Sequence, residues 1–243
     1  MERDSLIINL EDISFSYSGD KLVLDHLSFQ LRRGDRIGLV GPNGSGKTTV
    51  FHIIMGLLRP SSGRIELFGK PAEEERDFRT ARGRIGLLFQ DADDQLFCPT
   101  VLEDVAFGPL NLGKSPEQAR EIALTTVARL DLSGFENRIT YKLSGGEKRL
   151  VSLATVLAMD PEVLLLDEPT NGLDEQTEGK ITDILKGLDL SCIFISHNLD
   201  FLMRTTDRIY AMANGKISLD EALAPHPHIH THEFGRLPHK HER

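Results

Sequence analysis

The sequence predicts an α/β fold in which a mostly parallel sheet carries its functional residues at one edge. A glycine-rich loop at residues 41–48 lies between a short apolar segment (36–40) and a segment typical of a helix (49–58). Three further apolar segments end directly in polar residues, as buried parallel strands do. Those end residues are Gln90, Asp167 and His197. Because ligands of open α/β sheets bind at the carboxyl ends of the strands, we expect these residues and the loop to lie together.

The N-terminal part of the chain predicts a separate antiparallel layer. Apolar and polar residues alternate between residues 6 and 33, with a break at residues 18–20. The alternation predicts three strands, at residues 6–10, 13–17 and 27–31. Tyr17 stands at the end of the second strand, and on composition alone it is a half-buried strand aromatic.

The glycine-rich loop fits the phosphate-binding P-loop pattern G-x-x-x-x-G-K-[ST]. Its residues are Gly41, Pro42, Asn43, Gly44, Ser45, Gly46, Lys47 and Thr48. The glycines let the backbone bend so that successive N–H groups point at a polyphosphate, and the helix N-terminus adds partial positive charge. Lys47 is placed to reach the β- and γ-phosphates and Thr48 to hold Mg²⁺, and Thr49 completes the predicted nucleotide-binding set. An unliganded glycine turn is the weaker interpretation, because the flanking strand and helix also fit.

Two adjacent carboxylates follow a fully apolar segment later in the chain. Asp167 is placed to hold Mg²⁺ together with Thr48, often through water. Glu168 can polarise the water that attacks the γ-phosphate. Gln90 and His197 could contact the γ-phosphate or this water. Each of these residues alone would be an ordinary polar residue at a strand end, and the P-loop upstream favours the functional interpretation.

A second candidate anion site opens a later helix. Residues 143–147 read Leu-Ser-Gly-Gly-Glu and lead into a segment that is apolar all round, which predicts a buried helix. The candidate residues are Ser144, Gly145, Gly146 and Glu147. Backbone N–H groups at such a helix start bind phosphate. A P-loop kinase would have no use for this second site.

The segments between and after these motifs complete the alternation. Residues 72–84 are rich in both charges and predict a solvated helix or loop, residues 91–113 are rich in turn signals, and residues 115–133 have helical spacing. After Glu168 a turn at residues 172–174 leads into a helix predicted at about 175–188. A hairpin is predicted around Asn214-Gly215.

Composition narrows the class of protein. The 243 residues include 28 Lys and Arg against 37 Asp and Glu, a net charge of −9, which argues against a dedicated nucleic-acid binder. No apolar run reaches the roughly 18 residues of a membrane helix, and the first residues lack the apolar core of a signal peptide. Cys98 and Cys192 have no metal-ligand spacing and are expected to be reduced thiols. We therefore expect a cytosolic chain that could reach a membrane through protein contacts.

Taken in order, the motifs closely resemble the ATPase subunits of ATP-binding-cassette (ABC) transporters. They are Tyr17, the P-loop, Gln90, the signature segment at residues 143–147, Asp167 with Glu168, the turn at residues 172–174, and His197. The resemblance covers about residues 6–220. It implies an ABC-type P-loop NTPase domain at residues 1–223, with a RecA-like core, the antiparallel layer and a helical subdomain carrying the signature at about residues 91–160.

The resemblance also implies how the site uses ATP and Mg²⁺. Tyr17 would stack on adenine, Thr48, Gln90 and Asp167 would hold the metal, and Glu168 with Gln90 and His197 would carry the chemistry. The residues that would face the P-loop nucleotide of a second subunit are Ser144, Gly145, Gly146 and Glu147, with Asp174 in the neighbouring turn. ATP would close the dimer, hydrolysis would reopen it, and the motion would drive membrane subunits. The second ATPase subunit would be a second copy or a paralogue.

Two segments resemble one branch of this family, the energy-coupling-factor importers, especially the cobalt/nickel type. They are residues 93–109 and 153–161. These importers take up vitamins and transition-metal ions with an integral coupling subunit and a separate substrate-capture subunit. The resemblance implies a peripheral subunit on the cytoplasmic side of the cell membrane that contacts no nucleic acid. The apolar residues suited to a partner groove are Leu96, Phe97, Val101 and Phe107.

Two alternatives to a metal importer stay open. A vitamin importer would use the same ATPase. A soluble ABC ATPase acting on nucleic acid or ribosomes would usually carry two cassettes, a long coiled-coil insert or basic arms, whereas this sequence has one P-loop and one signature segment.

The last twenty residues change character. Six of the nine histidines lie there, at His226, His228, His230, His232, His239 and His241. Pro225, Pro227 and Pro238 argue against a folded element, so residues 224–243 are predicted to form a flexible tail. Alternate residues of an extended chain share one side, and imidazole suits Ni²⁺, Co²⁺, Cu²⁺ and Zn²⁺. Weak metal binding by this tail would favour cobalt or nickel as cargo, and a polar tail with incidental histidines is the alternative.

Overall fold

The computed structural model describes residues 5–17 and 21–219 and the backbone of residues 229–230 and 239–240. The strands in these ranges are β1 (Leu6–Phe15), β2 (Leu24–Arg32), β3 (Arg36–Val40), β4 (Ser62–Leu67), β5 (Lys70–Pro71), β6 (Ile85–Leu88), β7 (Val163–Asp167), β8 (Ser191–Ile195), β9 (Arg208–Ala213), β10 (Lys216–Leu219), β11 (Ile229–His230) and β12 (His239–Lys240). The helices are α1 (Lys47–Ile54), α2 (Glu75–Arg82), α3 (Val101–Asn111), α4 (Pro116–Arg129), α5 (Gly145–Leu157), α6 (Glu175–Lys186) and α7 (Leu199–Thr205). None of the helices in the described ranges is both long and apolar enough to cross a bilayer.

A six-stranded sheet forms the centre of the fold. Its order is β10-β9-β3-β8-β7-β6, in which β9, β3, β8, β7 and β6 run parallel and β10 pairs antiparallel with β9. All residues of β7 and β8 are buried, as in strands covered on both faces. The predicted mostly parallel sheet is confirmed. The P-loop strand β3 lies between β8 and β9, so the loop leaves the sheet near its middle.

A four-stranded antiparallel sheet of order β2-β1-β4-β5 forms the second layer. The prediction of two separate strands at 6–10 and 13–17 is wrong, because β1 runs without a break from Leu6 to Phe15 and ends before Tyr17. Asp12 adopts a left-handed φ of 57°, and the pairing register with β2 shifts between Leu10 and Ile13. Such a bulge bends a strand without ending it, which the alternation alone could not reveal.

Two hydrophobic cores lie on opposite faces of the central sheet. Val163 and Leu165 of β7 belong to the core shared with the antiparallel sheet and α1. Leu164 and Leu166 belong to the core shared with α3, α4, α5 and α6. Alternate side chains of β7 therefore pack into the two cores, so that both layers fix the position of the strand that ends in Asp167.

The helices α3, α4 and α5 pack against one another and carry the signature segment. The interpretation of residues 91–113 as rich in turns is confirmed for residues 91–100 and wrong for the second half of the range, most of which α3 occupies. Thr100 caps α3, and Thr100 and Glu103 form a reciprocal capping box, a helix-start signal that the later Gly108 and Pro109 obscured. The predicted helix start at Ser115 is confirmed. The subdomain limits of 91 and 160 stay a prediction.

The smaller predicted elements are mostly confirmed. The charged segment 72–84 contains α2, and α6 follows the turn at Asp174. The hairpin of β9 and β10 turns through Asn214 and Gly215, both with positive φ. In the tail, the described backbone of β11 and β12 pairs antiparallel. The other tail residues, including His226, His228, His232 and His241, lie outside the described residues.

Candidate active site

The P-loop follows β3 and wraps the start of α1. Gly41 has a φ of 154°, and a Cβ there would lie 2.2 Å from the Met212 backbone oxygen. Gly46, the residue before α1, has a φ of 104°, and a Cβ there would lie 2.8 Å from Leu24. Both positions therefore require glycine, one for close backbone approach and both for the left-handed turn. The loop is held in place by β9 and by the antiparallel layer.

Lys47 and Thr48 supply the ammonium and the hydroxyl group of the P-loop, and both residues line the cleft beside it. The buried Lys47 ammonium donates hydrogen bonds to the carbonyls of Gly41 (2.7 Å) and Pro42 (3.1 Å). Burial lowers the pKa of Lys47, and the charges of Glu168 and Asp167 oppose that shift. The Thr48 hydroxyl donates to the Asp167 carboxylate at 2.7 Å. The structure therefore joins these two predicted metal-binding residues, which are 119 residues apart in sequence.

Asp167 ends β7 and Glu168 follows it, and both side chains are largely buried, with 3% and 8% exposure. Burial raises the pKa of both carboxyl groups. Glu168 has a left-handed φ of 46°, a conformation that costs a non-glycine residue about 1–3 kcal/mol. One of its oxygens, Oε1, is buried without a hydrogen bond. Such a strained, unsatisfied carboxylate at a strand end is typical of a functional position.

His197 closes the site from the adjacent strand β8. Its Nε2 lies 3.4 Å from Glu168 Oε1 and 3.2 Å from Asn43 Oδ1, and its backbone N–H donates to Glu168 Oε2 at 3.4 Å. The proximity of His197 lowers the pKa of Glu168, against the larger effect of burial. The link between His197 and Asn43 joins β8 to the P-loop and was not predicted.

These groups line one cleft of about 660 Å³, here called the P-loop cleft. Its lining residues with predicted roles are Tyr17, Asn43, Gly44, Gly46, Lys47, Thr48, Thr49, Gln90, Asp167, Glu168 and His197. Tyr17 is 60% exposed at the mouth of the cleft, packs edge-to-face on Phe15, and shares a hydrogen bond of 3.0 Å with the Thr49 hydroxyl. The half-buried strand interpretation of Tyr17 is therefore wrong. An exposed ring beside a phosphate loop offers a stacking surface for a base.

The donor groups fit a magnesium nucleotide. Ser45 Oγ is buried in the P-loop without a hydrogen-bond partner, as is Glu168 Oε1 near the strand end. A buried orphan polar atom is costly unless a ligand or water satisfies it. Thr48, Asp167 and the exposed Gln90 supply only oxygen ligands, which are the ligands Mg²⁺ prefers.

The signature segment opens α5 with a capping box. Ser144 caps the helix by accepting from the Glu147 N–H, and the Ser144 N–H donates to Glu147 Oε2 at 2.7 Å. Arg138 donates to both oxygens of Glu147, at 2.7 and 3.2 Å, which lowers the pKa of Glu147. A Cβ on Gly145 would meet nothing within 4 Å, whereas a Cβ on Gly146 would lie 3.0 Å from Thr177. Packing against Thr177 therefore leaves little room for a side chain at 146, whereas the packing of this chain leaves glycine at 145 unexplained.

The signature segment does not line the P-loop cleft within the part of the chain that the structure describes. Gly145 instead lines an adjoining cleft of about 660 Å³, together with Thr48, Gln90 and Asp167. Asp174 caps α6, and both of its carboxylate oxygens bond Thr177. The predicted nucleotide contacts of Ser144, Gly145, Gly146, Glu147 and Asp174 thus find no counterpart in the P-loop cleft and stay predictions.

Two site residues escaped sequence reasoning. Asn171 lines both clefts without belonging to a recognised motif. Arg149 is 4% exposed and donates hydrogen bonds to backbone carbonyls at the ends of β6 and β7. The available signal was a cation inside a helix that otherwise reads as apolar.

Comparison with known proteins agrees with this geometry. The family model described as "ABC transporter" matches residues 24–171. A putative ABC transporter ATP-binding protein of Nitratidesulfovibrio vulgaris is 52% identical over 97% of this chain and 86% of its own length. The chain therefore belongs to the ABC transporter family and carries its ATP-hydrolysing domain.

Two relatives with more specific names define the branch. The energy-coupling factor transporter ATP-binding protein EcfA of Methanocaldococcus jannaschii is 40% identical over 87% of this chain and 77% of its own length. The cobalt import ATP-binding protein CbiO of Rhodobacter capsulatus is 41% identical over 90% and 79%, respectively. The chain is an ABC ATPase of the EcfA and CbiO group, in agreement with the resemblance of residues 93–109 and 153–161.

Solved structures share the fold over nearly the whole domain. The structure of cbiO1 from Clostridium perfringens, part of the transporter complex cbiONQ, has a TM-score of 0.79 and 33% identity, and covers 89% of this chain and 88% of its own. The ATP-binding cassette MJ0796, in a dimeric post-hydrolysis state with ADP and Pi, has a TM-score of 0.80 and 26% identity, and covers 88% and 98%. The predicted P-loop NTPase fold is confirmed.

Proposed function

We propose that this chain powers a membrane importer of cobalt or nickel ions by hydrolysing ATP in a dimer of ATPase subunits. The observation that carries the proposal is the division of the site. The residues that would bind Mg²⁺ and activate the attacking water line one cleft together with the P-loop. The second predicted anion-binding site, at the start of α5, lies outside that cleft. A site divided in this way is completed by the signature segment of another subunit.

The P-loop cleft supplies what hydrolysis needs from one chain. Mg²⁺, when bound by Thr48, Asp167 and Gln90, would neutralise charge on the β- and γ-phosphates. Lys47 would leave its two loop carbonyls and bond the phosphates, and Tyr17 would stack on the adenine.

Glu168 is the proposed general base. A water oxygen attacks the γ-phosphorus, its proton passes to the Glu168 carboxylate, and the bond to the bridging oxygen of ADP breaks. The raised pKa of Glu168 suits this role, because it brings the proton affinity of the carboxylate closer to neutral pH. His197 lies within 3.4 Å of the same carboxylate and would hold it toward the γ-phosphate.

A mixing experiment tests the divided site. Lys47→Ala removes the P-loop cation, and Gly145→Asp places a negative charge at the signature. In a mixed dimer, one site carries both changes and the other carries neither. Two inactive variants should therefore recover ATP turnover when mixed, if the partner is a second copy. Continued inactivity of the mixture, with both variants folded, would indicate a paralogue as partner or a site within one chain.

Exposed aromatics support contact with a membrane subunit. Phe97 and Phe107 are 64% and 43% exposed and pack edge-to-face with ring centroids 4.7 Å apart. Leu110 extends this apolar surface along α3. Val101, which was expected to share it, is fully buried in the core, so that expectation is wrong. The surface suits an apolar helix of an integral coupling subunit at the cytoplasmic face of the membrane.

The cargo assignment is supported by the cobalt-import relative and by the histidine-rich tail, in which weak transition-metal binding is proposed. A vitamin importer is the second candidate, because EcfA relatives match equally well over this chain. In either importer, a separate substrate-capture subunit would determine whether a metal ion or a vitamin is taken up.

The deciding experiment is purification of the chain from its native membrane, followed by uptake assays in vesicles. We expect co-purification with an integral subunit and ATP-dependent uptake of Co²⁺ or Ni²⁺. Uptake of a vitamin would correct the cargo and leave the ATPase role intact. Recovery without any membrane protein would favour a soluble ABC ATPase.

A further inference from the structure

Arg149 connects the signature helix to the strand ends of the active site. It lies in the second turn of α5, where its side chain is 4% exposed. Nε donates to Pro169, Nη1 to Phe89 and Gln90, and Nη2 to Asp167 and Glu168, and every acceptor is a backbone carbonyl. The five N–H donors of the guanidinium group are therefore all used.

The acceptors of Arg149 belong to the peptides that carry the proposed chemistry. Nη2 lies 2.7 Å from the Asp167 carbonyl and 2.6 Å from the Glu168 carbonyl. Glu168 is the residue with the left-handed φ of 46°, and its N–H is held by the Ile195 carbonyl at 2.9 Å. The strained backbone of Glu168 is thus held on both sides, by β8 through the Glu168 N–H and by α5 through the Glu168 carbonyl.

Further contacts join the same helix to the segment around Gln90. Gln95 accepts from the Phe89 N–H and donates to the Ser152 carbonyl of α5 at 3.0 Å. Lys148 of α5 forms an ion pair with Asp93 at 2.5 Å. Segment 89–95 and α5 are consequently tied together on both sides of Arg149.

Burying a guanidinium cation is costly unless its donors are satisfied. Burial lowers the pKa of Arg149 to about 10, and the nearby Asp167 and Glu168 carboxylates oppose that shift. A lysine has three donors in place of five and could reach only some of the carbonyls. An apolar side chain of similar length would remove all five bonds and leave the Glu168 carbonyl with the Asn171 N–H at 3.2 Å.

We propose that Arg149 is a positioning residue, which holds the peptides of Gln90, Asp167 and Glu168 in their active geometry and ties them to the helix that begins at the signature. This inference rests on the proposed catalytic roles of those three residues. It predicts that the start of α5 and the catalytic strand ends move as one unit, because the same side chain fixes both.

Arg36 offers a matched control. Arg36 is half-buried where Arg149 is buried, and it likewise donates to backbone carbonyls, those of Leu185, Leu188 and Thr205. These carbonyls lie at the ends of α6 and α7, and Arg36 does not line either cleft. Arg36→Met therefore removes a comparable carbonyl clamp without touching the site.

The test compares Arg149→Met, Arg149→Lys and Arg36→Met in the full-length chain, with ATP turnover, KM and melting temperature measured for each. We expect Arg149→Met to lower kcat roughly 100-fold, because misplacing a catalytic group by about 1 Å has that effect. Arg149→Lys should recover part of kcat, and KM for ATP should change little, since the P-loop contacts are kept. Arg36→Met should lower the melting temperature and leave kcat of the folded protein near the native value.

Two results would overturn the proposal. One is a native kcat in both Arg149 variants while the protein stays folded. The other is a loss of kcat in Arg36→Met equal to that in Arg149→Met at the same loss of stability, which would make the clamp purely structural. If Arg149→Met does not fold, Arg149→Lys against Arg36→Met decides. Absence of turnover in the unaltered chain, measured together with its partner ATPase subunit, would instead contradict the proposed function.

Discussion

Two helix starts in this protein carry glycine-rich segments that are predicted to bind anions, and they differ in how much of the surrounding site the chain itself supplies. At α1, Lys47 is buried, and Thr48 bonds Asp167, at the end of β7, at 2.7 Å. At α5, Ser144 and Gly145 are exposed, and Glu147 is engaged by Arg138. The first site is complete on its protein side, while the second presents an open surface.

The two helix starts also differ in why each has a glycine. Gly41 is required by the chain's own backbone, as the clash with Met212 demonstrates. Gly145 has open space where its side chain would be, so folding alone does not require glycine there. If the proposed function is right, the nucleotide of a second subunit would be the reason for glycine at 145. The following predictions test that division, beginning with the largest effect.

Glu168→Gln tests the completeness of the P-loop side. We expect turnover to fall by about 10²–10⁴-fold, because the amide cannot accept the proton of the attacking water. ATP binding should persist, since the P-loop is unchanged, and a closed ATP-bound dimer should accumulate. Turnover and size-exclusion chromatography with ATP measure the two effects.

The exposed Glu121 of α4 provides the control for that change. Glu121→Gln makes the same chemical substitution away from both described clefts and should keep native turnover. Native hydrolysis by Glu168→Gln would show that the general base has been assigned to the wrong residue.

Gly145→Ala tests the open surface of the signature. A methyl group there meets nothing within 4 Å in this chain, so the melting temperature should not fall. If a phosphate from a second subunit approaches this glycine, turnover should fall on the order of 10–100-fold, because the added Cβ displaces the phosphate. Turnover and thermal unfolding measured on one preparation separate the two effects.

Gly179→Ala is the matched control, because a Cβ at that position of α6 also meets nothing within 4 Å. Replacing a helical glycine should stabilise the fold by about 0.5–1 kcal/mol and leave turnover native. Equal turnover in the two alanine variants would contradict an external ligand at Gly145.

The comparison also explains how far the sequence could lead. The P-loop, the strand ends and the helix start at Ser144 were predictable, because glycines, apolar runs and capping residues act over a few neighbouring positions. The pairing of Thr48 with Asp167 followed from the rule that parallel strands end at one edge. The P-loop side of the site was therefore accessible from the sequence.

Features that depend on distant contacts were not accessible. The left-handed backbone of Glu168 is held by Ile195 and Arg149, which no local pattern connects to it. The continuity of β1 depends on pairing with β2, and α3 was obscured by a glycine and a proline inside it. In each case tertiary contacts outweighed the local signal.

Tyr17→Ala tests, by ATP affinity alone, whether the Tyr17 ring stacks on the adenine in the P-loop cleft. Loss of a stacked base is expected to cost about 1–3 kcal/mol, which raises the dissociation constant for ATP roughly 5- to 150-fold. Tyr17→Phe keeps the ring and removes only the hydrogen bond to Thr49, so its affinity should stay near native. A fluorescent ATP analogue measures both. Equal weakening in the two variants would assign the effect to the hydroxyl and contradict stacking.

Asp104→Asn tests a buried carboxylate on the signature side and has the smallest expected effect. Asp104 of α3 is 2% exposed, and its Oδ1 accepts from the N–H groups of Phe97 and Cys98. Burial raises the pKa of Asp104, and no cation pairs with it among the described residues, whereas Lys47 and Arg149 lie near the buried Asp167.

The sign of the pH effect follows from that raised pKa. The folded state binds the Asp104 proton more tightly than the unfolded state, so this group stabilises the fold at mildly acidic pH and the contribution is lost as pH rises through the folded pKa. Asparagine keeps an oxygen acceptor and cannot ionise, so Asp104→Asn should gain stability relative to the native chain near neutral pH and lose that advantage in acid. Urea unfolding at both pH values measures the difference, with the exposed Asp189→Asn as control. If the difference in unfolding free energy between the native chain and Asp104→Asn did not change with pH, Asp104 would have the same pKa in the folded and unfolded states. That result would contradict a raised pKa in the folded state.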